Sequence, residues 1–259
     1  MSAGPLAGKR ILVTRPEAQA KEFSNLIRQA GGEPLEVATI EIGEAADLAP
    51  LHSIADRLES FDLAIFVSRN AVSRAMVLLR TRRGGRPWPA HLRMATVGTG
   101  SREELERHGF SGVITPPARA DSEALLALPE LADVAGRRVA IFRGEGGRRL
   151  LGETLAARGA TVEHAVCYRR RRPEAGGVSL REAWSKTDAV TVSSSEGLAN
   201  LAAMLGAPRA RETARTPLFV PHARVAEEAQ RLGFGSAIVA GPGDREMVAA
   251  LVAYFAGAR

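Results

Sequence analysis

The chain contains an internal repeat, and this repeat constrains the fold more than any other feature of the sequence. Residues 61–68 (FDLAIFVS) resemble residues 187–194 (TDAVTVSS), and each copy carries an aspartate at its second position. Residues 97–110 resemble residues 220–234 at nearly the same offset, and both segments end in Gly-Phe. Similarity at a fixed offset across half of the chain predicts two similar folding units.

A third match shows that one copy of the repeat is split. Residues 8–15 (GKRILVTR) resemble residues 136–143 (GRRVAIFR), and the segment that follows each of them matches as well. The first of these segments opens the chain, whereas the second closes the copy in the middle. The N-terminal strand and helix therefore belong with the last third of the chain.

These matches predict the domain boundaries. We expect residues 1–37 and 174–259 to form one discontinuous domain and residues 43–166 to form an inserted domain. The two crossings, residues 38–42 and 167–173, have the composition of extended segments. They predict a two-stranded linker between the domains.

Short apolar runs alternate with helical patterns along the whole chain. The run Arg10–Thr14 precedes a segment in which Phe23, Leu26 and Ile27 share one helical face, and Gly31 follows it as a stop signal. Continuous apolar strands that alternate with helices are typical of parallel sheets covered on both faces. The predicted fold class is therefore α/β, with two similar doubly wound parallel-sheet domains joined by the linker.

Charge and cysteine content limit the classes of function. The net charge is +6, from 35 Lys and Arg against 29 Asp and Glu, which favours polyanionic partners but is equally typical of a solvated, arginine-rich surface. The chain has a single cysteine, which fits a reducing compartment, and no apolar run approaches the roughly 20 residues of a membrane span. Met1–Gly8 lacks the features of a signal peptide, so we expect a soluble, cytoplasmic protein.

The sequence lacks the motifs of several enzyme classes. It contains no phosphate-binding P-loop and no G-x-S-x-G elbow, and the Gly98-Thr99-Gly100 turn fails as a dinucleotide fingerprint because Glu103 stands where glycine is needed. The five histidines are scattered and have no metal-ligand spacing, and we expect Cys167 to be a small buried residue. We therefore expect neither a metal nor a cofactor.

Several local motifs, in this order along the chain, resemble the uroporphyrinogen-III synthase family. They are KRILVTRP at Lys9–Pro16, FVSRNAV at Phe66–Val72, CYR at Cys167–Arg169, VSSSEGL at Val192–Leu198 and LFVPHARVAEEA at Leu218–Ala229. The discontinuous two-domain plan resembles that family too, and the resemblance covers essentially the whole chain.

The resemblance implies a function. It implies cyclisation of hydroxymethylbilane to uroporphyrinogen III, with inversion of ring D and loss of water, in a cleft between the two domains. The implied partner is a small polycarboxylate substrate that suits the positive charge. The same resemblance implies a monomer that needs no cofactor and binds neither nucleic acid nor membrane.

Ligands of open parallel sheets bind beyond the carboxyl ends of the strands, and the candidate binding residues follow such strands. Arg15 and its repeat counterpart Arg143 have the fork geometry that pairs with carboxylates, but each also fits a solvated loop or a salt bridge. The hydroxyl and backbone N–H groups after two strands suit anions, although N-capping of helices explains them as well. The predicted binding set is Arg15, Ser68, Arg69, Asn70, Gly98, Thr99, Arg143, Gly144, Ser193, Ser194, Ser195, Pro221, His222 and Ala223.

Tyr168 is the candidate catalytic residue. A tyrosine hydroxyl is protonated at neutral pH, so it can donate a proton to a leaving group. The resemblance favours this role, and a packing role at the linker is the alternative. No other side chain is placed by a motif as an acid.

Two other functions remain open at this point. The first is a non-catalytic two-domain module that binds an anion or a tetrapyrrole for regulation. The second is nucleic-acid binding, suggested by the net charge and by the run Arg169–Arg172, although a recognition motif and stacking aromatics are missing.

Overall fold

A computed structural model describes residues 4–206, 213 and 215–257. The strands are β1 Arg10–Val13, β2 Glu33–Glu36, β3 Glu41–Gly43, β4 Leu63–Phe66, β5 Arg93–Thr96, β6 Arg138–Gly144, β7 Thr161–Arg171, β8 Ala189–Thr191, β9 Leu218–Val220 and β10 Ala237–Val239. The helices are α1 Glu17–Gln29, α2 Ala49–Asp56, α3 Arg69–Arg83, α4 Thr99–Arg107, α5 Ser122–Leu126, α6 Leu150–Ala157, α7 Gly176–Trp184, α8 Ser195–Leu205, α9 Ala223–Arg231 and α10 Asp244–Gly257. Short 3₁₀ turns span Leu58–Ser60 and Pro129–Leu131.

The chain divides into two compact units. The first contains the residues up to Glu41 and those from Arg171 onward, and the second is Ile42–Arg170. The predicted linker segments differ from this division, because residues 167–170 belong to the second unit. They do so because β7 runs without interruption from Thr161 to Arg171 and stays paired with β6 as far as Tyr168.

The first unit contains a five-stranded sheet in the order β2-β1-β8-β9-β10, and the pairs have parallel registers. This order is typical of a doubly wound sheet, and the strand order reverses between the neighbouring strands β1 and β8. Leu12 packs against α7, α8 and α9 on one face, while Ile11 and Val13 pack against α1 and α10 on the other. Alternation of this kind follows from the two-residue period of a strand.

The second unit has the corresponding sheet, in the order β3-β7-β6-β4-β5. Strands β7, β6, β4 and β5 pair in parallel, and an isolated parallel bridge joins Ala95 of β5 to Ile114. Phe66 and Phe142 face a core formed with α2, α3 and α4, whereas Ile65 and Ile141 face α5 and α6. The predicted α/β class with two parallel sheets is confirmed.

The permuted repeat is visible in the hydrogen bonds that align the central strands. In the second unit the Asp62 carboxylate accepts a hydrogen bond from the backbone N–H of Arg138 at 2.7 Å. In the first unit Asp188 accepts the equivalent bond from Arg10 at 2.8 Å. The partner comes from later in the chain in one unit and from the N-terminus in the other, as a circularly permuted pair requires.

Among the described residues, no helix is long and apolar enough to cross a bilayer.

Candidate functional site

The candidate site lies at the carboxyl ends of β4 and β6, the neighbouring strands between which the strand order of the second sheet reverses. The Phe66 and Phe142 rings are paired in register and stack with centroids 4.6 Å apart. The N–H of Val67 then donates to the carbonyl of Phe142 at 3.1 Å. This alignment brings the residues that follow, Ser68 and Gly144, to the same edge of the sheet.

A β-bulge in β7 orients Tyr168 toward this edge. Arg143 pairs with Val166, but Gly144 pairs with Tyr168, so Cys167 is the extra residue. The bulge shifts the alternation of side chains by one position, so that Cys167 and Tyr168 pack into the same core. Tyr168 is only 3% exposed.

The Tyr168 hydroxyl is hydrogen-bonded to a helix N-cap. Its oxygen lies 3.0 Å from Ser68 Oγ, and either group can be the donor. Ser68 has extended backbone angles and caps α3 by accepting the N–H of Ala71 at 3.1 Å. The tyrosine hydroxyl is therefore connected to the positive end of a helix.

A pocket of about 170 Å³ opens beside this pair. Its wall includes the Ser68 and Tyr168 side chains, the glycine-containing loop after β6, and the first turn of α6. Three of its lining residues are arginines and one is a glutamate: Arg143, Arg148, Arg170 and Glu145. The excess of positive charge suits an anionic group.

Arg143 is held at the pocket wall by its own loop. Its guanidinium donates to the carbonyl of Gly146 and, at 3.4 Å, to that of Gly144. Gly146 and Gly147 both have positive φ, which lets the loop curl back over the arginine. Arg148, in the same loop, pairs with Glu123 at 2.6 Å.

His164 also lines the pocket, with its ring packed against Gly152 of α6. Partial desolvation of the ring lowers the pKa of the imidazole, and the nearby charges of Arg143 and Arg149 lower it further. The ring is therefore neutral at neutral pH, and it adds positive charge to the pocket only in acid.

Three further pocket residues, His164, Arg148 and Arg170, are absent from the predicted binding set. For Arg170, which follows Tyr168 by two residues, the strand pattern predicts a shared face with Tyr168, but the run of arginines also fits a solvated surface. Nothing in the sequence indicates such a role for His164 or Arg148.

The structure places four other predicted residues of this unit at helix starts that do not line the pocket: Arg69, Asn70, Gly98 and Thr99. Arg69 Nε donates to the carbonyl of Gly100 at 3.4 Å, so its guanidinium lies over the first turn of α4. Their predicted role as substrate contacts stays a prediction.

The first unit repeats the capping geometry. Ser194 has nearly the same backbone angles as Ser68 and accepts the N–H of Gly197 at 3.1 Å. Ser193 precedes this cap, and Ser195 begins α8. Pro221, His222 and Ala223 follow the neighbouring strand β9, where His222 makes no side-chain capping bond to α9. The serines at 193–195 and the residues at 221–223 thus follow two adjacent strands, β8 and β9.

Arg15 is already engaged within the first unit. Its Nη1 lies 2.5 Å from the Asp244 carboxylate, and its guanidinium lies 4.4 Å from the centre of the Phe23 ring. The side chain is 11% exposed. This environment is that of a salt bridge, the alternative to the predicted substrate contact.

Two negative expectations concern metals and cysteine. Among the described residues, no cluster of three or more His, Cys, Asp or Glu side chains has the arrangement of a metal site. Burial raises the pKa of the Cys167 thiol to about 12, so the thiolate needed for nucleophilic chemistry is not formed near neutral pH. Cys167 is buried, as predicted.

Comparison with known sequences gives a consistent match. The family model for uroporphyrinogen-III synthase HemD matches residues 21–249. Uroporphyrinogen-III synthases from Salmonella typhimurium strain LT2 and Escherichia coli strain K12 are 36% and 33% identical over 244 and 241 residues. Each alignment covers 91% of this chain and 96% of the relative.

Comparison with solved structures agrees at the level of the fold. A mutant uroporphyrinogen III synthase from Thermus thermophilus matches with a TM-score of 0.62 at 18% identity, over 97% of this chain and 100% of that one. The Helicobacter pylori 26695 uroporphyrinogen-III synthetase matches with a TM-score of 0.59 at 15% identity, over 95% and 99% of the two chains.

Proposed function

Since this chain belongs to the uroporphyrinogen-III synthase family of cyclising hydro-lyases, we propose that it converts hydroxymethylbilane into uroporphyrinogen III, with inversion of ring D and loss of water. The family match over residues 21–249 and the two relatives above 30% identity support this function. The reaction belongs to haem and tetrapyrrole biosynthesis. We also propose that the enzyme acts in the cytoplasm as a monomer, without a cofactor and without binding nucleic acid.

The observation that carries the site assignment is the position of the Tyr168 hydroxyl beside a cationic pocket at the switch in strand order. The substrate is a polycarboxylate, so Arg143 offers charge-assisted hydrogen bonds to one of its acidic arms, at a pocket wall that also contains Arg148 and Arg170. A pocket of about 170 Å³ holds one arm or one pyrrole ring and not a whole tetrapyrrole. We therefore assign it as a subsite.

Tyr168 is proposed as the acid that assists departure of the terminal hydroxyl group. The C–O bond breaks with its electron pair on oxygen, the phenol proton converts the leaving hydroxide to water, and the pyrrole nitrogen supplies electrons to form an azafulvenium cation. Ring D attacks this cation through its substituted carbon and forms a spiro intermediate. The bond from that carbon to the methylene bridge of ring C then breaks, and ring D attacks the new cation on ring C through its free carbon, which inverts ring D. Loss of the proton from that carbon restores the aromatic pyrrole and returns a proton to the phenolate. Because the cation is reactive once formed, catalysis depends mainly on positioning and on electrostatic stabilisation.

The test is incubation with hydroxymethylbilane made enzymatically, followed by chromatographic separation of the type I and type III isomers after oxidation. We expect the protein to direct the product to type III, whereas the substrate alone closes to type I. The Tyr168→Phe variant keeps the ring packing and should form type III more slowly, by about 100-fold. This loss is at the lower end of the roughly 10²- to 10⁴-fold typical of positioned proton transfer, because water or another donor can partly replace the phenol.

The non-catalytic alternative gives a different result in the same assay. A regulatory module would bind tetrapyrrole, detected by protein fluorescence quenching, while the product stayed type I. Type I product from the wild-type protein would therefore reject the proposed activity. Wild-type turnover and isomer ratio in Tyr168→Phe would reject only the role of Tyr168.

A further inference from the structure

Ser68 Oγ makes two contacts that together restrict what it does in the site. It accepts the N–H of Ala71 at 3.1 Å and lies 3.0 Å from the Tyr168 hydroxyl oxygen. A serine hydroxyl has one proton and two lone pairs. Since the backbone N–H can only donate, it occupies one lone pair, and one proton and one lone pair remain for Tyr168 and the pocket.

From this geometry we propose that Ser68 is a positioning residue that acts through Tyr168 and does not bind a substrate carboxylate. This inference rests on the proposed acid role of Tyr168. When Tyr168 transfers its proton to the leaving hydroxyl, its oxygen becomes an anion that can only accept hydrogen bonds. The Ser68 proton then points to that oxygen, in a charge-assisted bond that is stronger than the one in the resting enzyme.

The helix behind Ser68 reinforces this interaction. The Ala71 N–H belongs to the first turn of α3, the end of the helix that carries partial positive charge. Polarisation along the chain from Ala71 N–H through Ser68 to Tyr168 strengthens each bond of the series. The stabilisation appears as negative charge develops on Tyr168, so it accelerates proton transfer more than it tightens substrate binding.

The packing around Tyr168 limits the positions that its hydroxyl group can take. The ring is 3% exposed, and its Cζ and hydroxyl lie directly against the backbone of Gly144. The hydroxyl is thus confined between Gly144 and Ser68, beside the pocket that both residues line. A small displacement of the ring would break the 3.0 Å contact.

The internal repeat provides a matched control. Ser194 caps α8 with the same geometry, by accepting the N–H of Gly197 at 3.1 Å. Thr39 and Ile40 lie beside the start of α8, close to Gly197. Ser194 therefore serves as a cap of the same geometry outside the pocket, and Ser194→Ala measures what loss of such a cap does to stability.

The experiment is a double-mutant cycle with Ser68→Ala, Tyr168→Phe and the double variant, assayed for kcat and KM in type III formation. Ser68→Ala should lower kcat by about 10- to 100-fold, the usual effect of one hydrogen bond to a charged group, with KM nearly unchanged. In the Tyr168→Phe background the same substitution should have no further effect on kcat, because there is no tyrosine oxygen left to stabilise. Ser68→Thr, which keeps the hydroxyl, should recover most of the activity.

Three results would overturn the inference: losses that multiply in the double variant, a KM increase at unchanged kcat, or no recovery in Ser68→Thr. Urea unfolding of Ser194→Ala measures the loss of a cap alone, and Ser68→Ala should lose somewhat more stability because its bond to Tyr168 is removed as well. The kinetic comparison is made at a temperature at which the unfolding curves show all variants to be folded. Failure of the proposed function is distinguishable, because the wild-type protein itself would then give only type I product.

Discussion

Gly144 and Tyr168 are in direct contact, since a Cβ atom on Gly144 would lie 2.6 Å from Cζ of the tyrosine ring. Real Cβ atoms do not approach that closely, so Gly144→Ala must displace the ring or the strand end. We expect kcat for type III formation to fall about 10-fold or more because the hydroxyl leaves its position against Ser68, with destabilisation of about 1–3 kcal/mol from overpacking. Steady-state kinetics and urea unfolding measure the two effects.

The control for this substitution is Gly257→Ala. Gly257 ends α10, and a Cβ there meets no atom within 4 Å. Its kcat should equal that of the wild-type protein. Unchanged kcat in Gly144→Ala would show that the Tyr168 hydroxyl either does not move or is not used.

The paired aspartates Asp62 and Asp188 give a stability prediction that depends on the repeat. Each carboxylate accepts a backbone N–H across two central strands, at 2.7 Å from Arg138 and 2.8 Å from Arg10. Replacing either aspartate by Ala should lower the free energy of unfolding by a similar amount, about 1–2 kcal/mol. Each carboxylate is partly exposed to solvent, and each accepts the same kind of charge-assisted hydrogen bond. Urea denaturation followed by circular dichroism is the measurement.

Asp133→Ala is the control, since Asp133 is exposed and its contact with the N–H of Ala135 is long, at 3.4 Å. It should change stability by less than about 0.5 kcal/mol. If only one of the two paired substitutions destabilised the protein, the two strand alignments would not be energetically equivalent.

The sequence predicted the fold because the repeat carries its own alignment. The aspartates at positions 62 and 188, and the strand ends at Ser68 and Ser194, recur at one offset, and the structure gives both pairs the same hydrogen bonds. A hydrogen-bonding residue that recurs at the start of equivalent strands has a local physical role. Such roles can be recognised in a sequence.

The pocket was predicted less completely, for two physical reasons. The bulge at Cys167 shifts the side-chain alternation in β7, and the C-Y-R sequence contains no glycine or other residue that predicts it. His164 joins the site only because β7 lies beside β6, and Arg143 faces the pocket because Gly146 and Gly147 turn its loop back. These are tertiary relationships that no local pattern encodes.

His164 makes stability depend on pH in a predictable direction. Its pKa is lowered in the folded protein by partial desolvation and by Arg143 and Arg149, so the unfolded chain binds a proton more readily. The contribution is fully present above the unfolded pKa of about 6.5 and is lost as the pH falls below it. His164→Gln should therefore reduce the drop in urea midpoint between pH of about 7.5 and pH of about 5.5.

His108 has a pKa lowered mainly by burial and contributes in the same direction, so the pH dependence should weaken in His164→Gln without vanishing. His91, which is not among the pocket-lining residues, provides the comparison through His91→Gln. An equal drop in midpoint in the wild type and His164→Gln would contradict the prediction.

Arg15 and Arg143 occupy equivalent positions after the central strands, yet their surroundings predict opposite effects on removal. Arg143 donates to carbonyls of its own glycine-containing loop at the pocket wall, so Arg143→Ala should raise KM about 10-fold, the effect of one charge-assisted bond, with little change in stability. Arg15 is 11% exposed, pairs with Asp244 and packs on Phe23, so Arg15→Ala should lower the free energy of unfolding by about 1–3 kcal/mol. Arg137→Ala removes the same charge from an exposed side chain outside the pocket lining and corrects for net charge. A KM increase without destabilisation in Arg15→Ala would instead support the predicted contact of this arginine with the substrate.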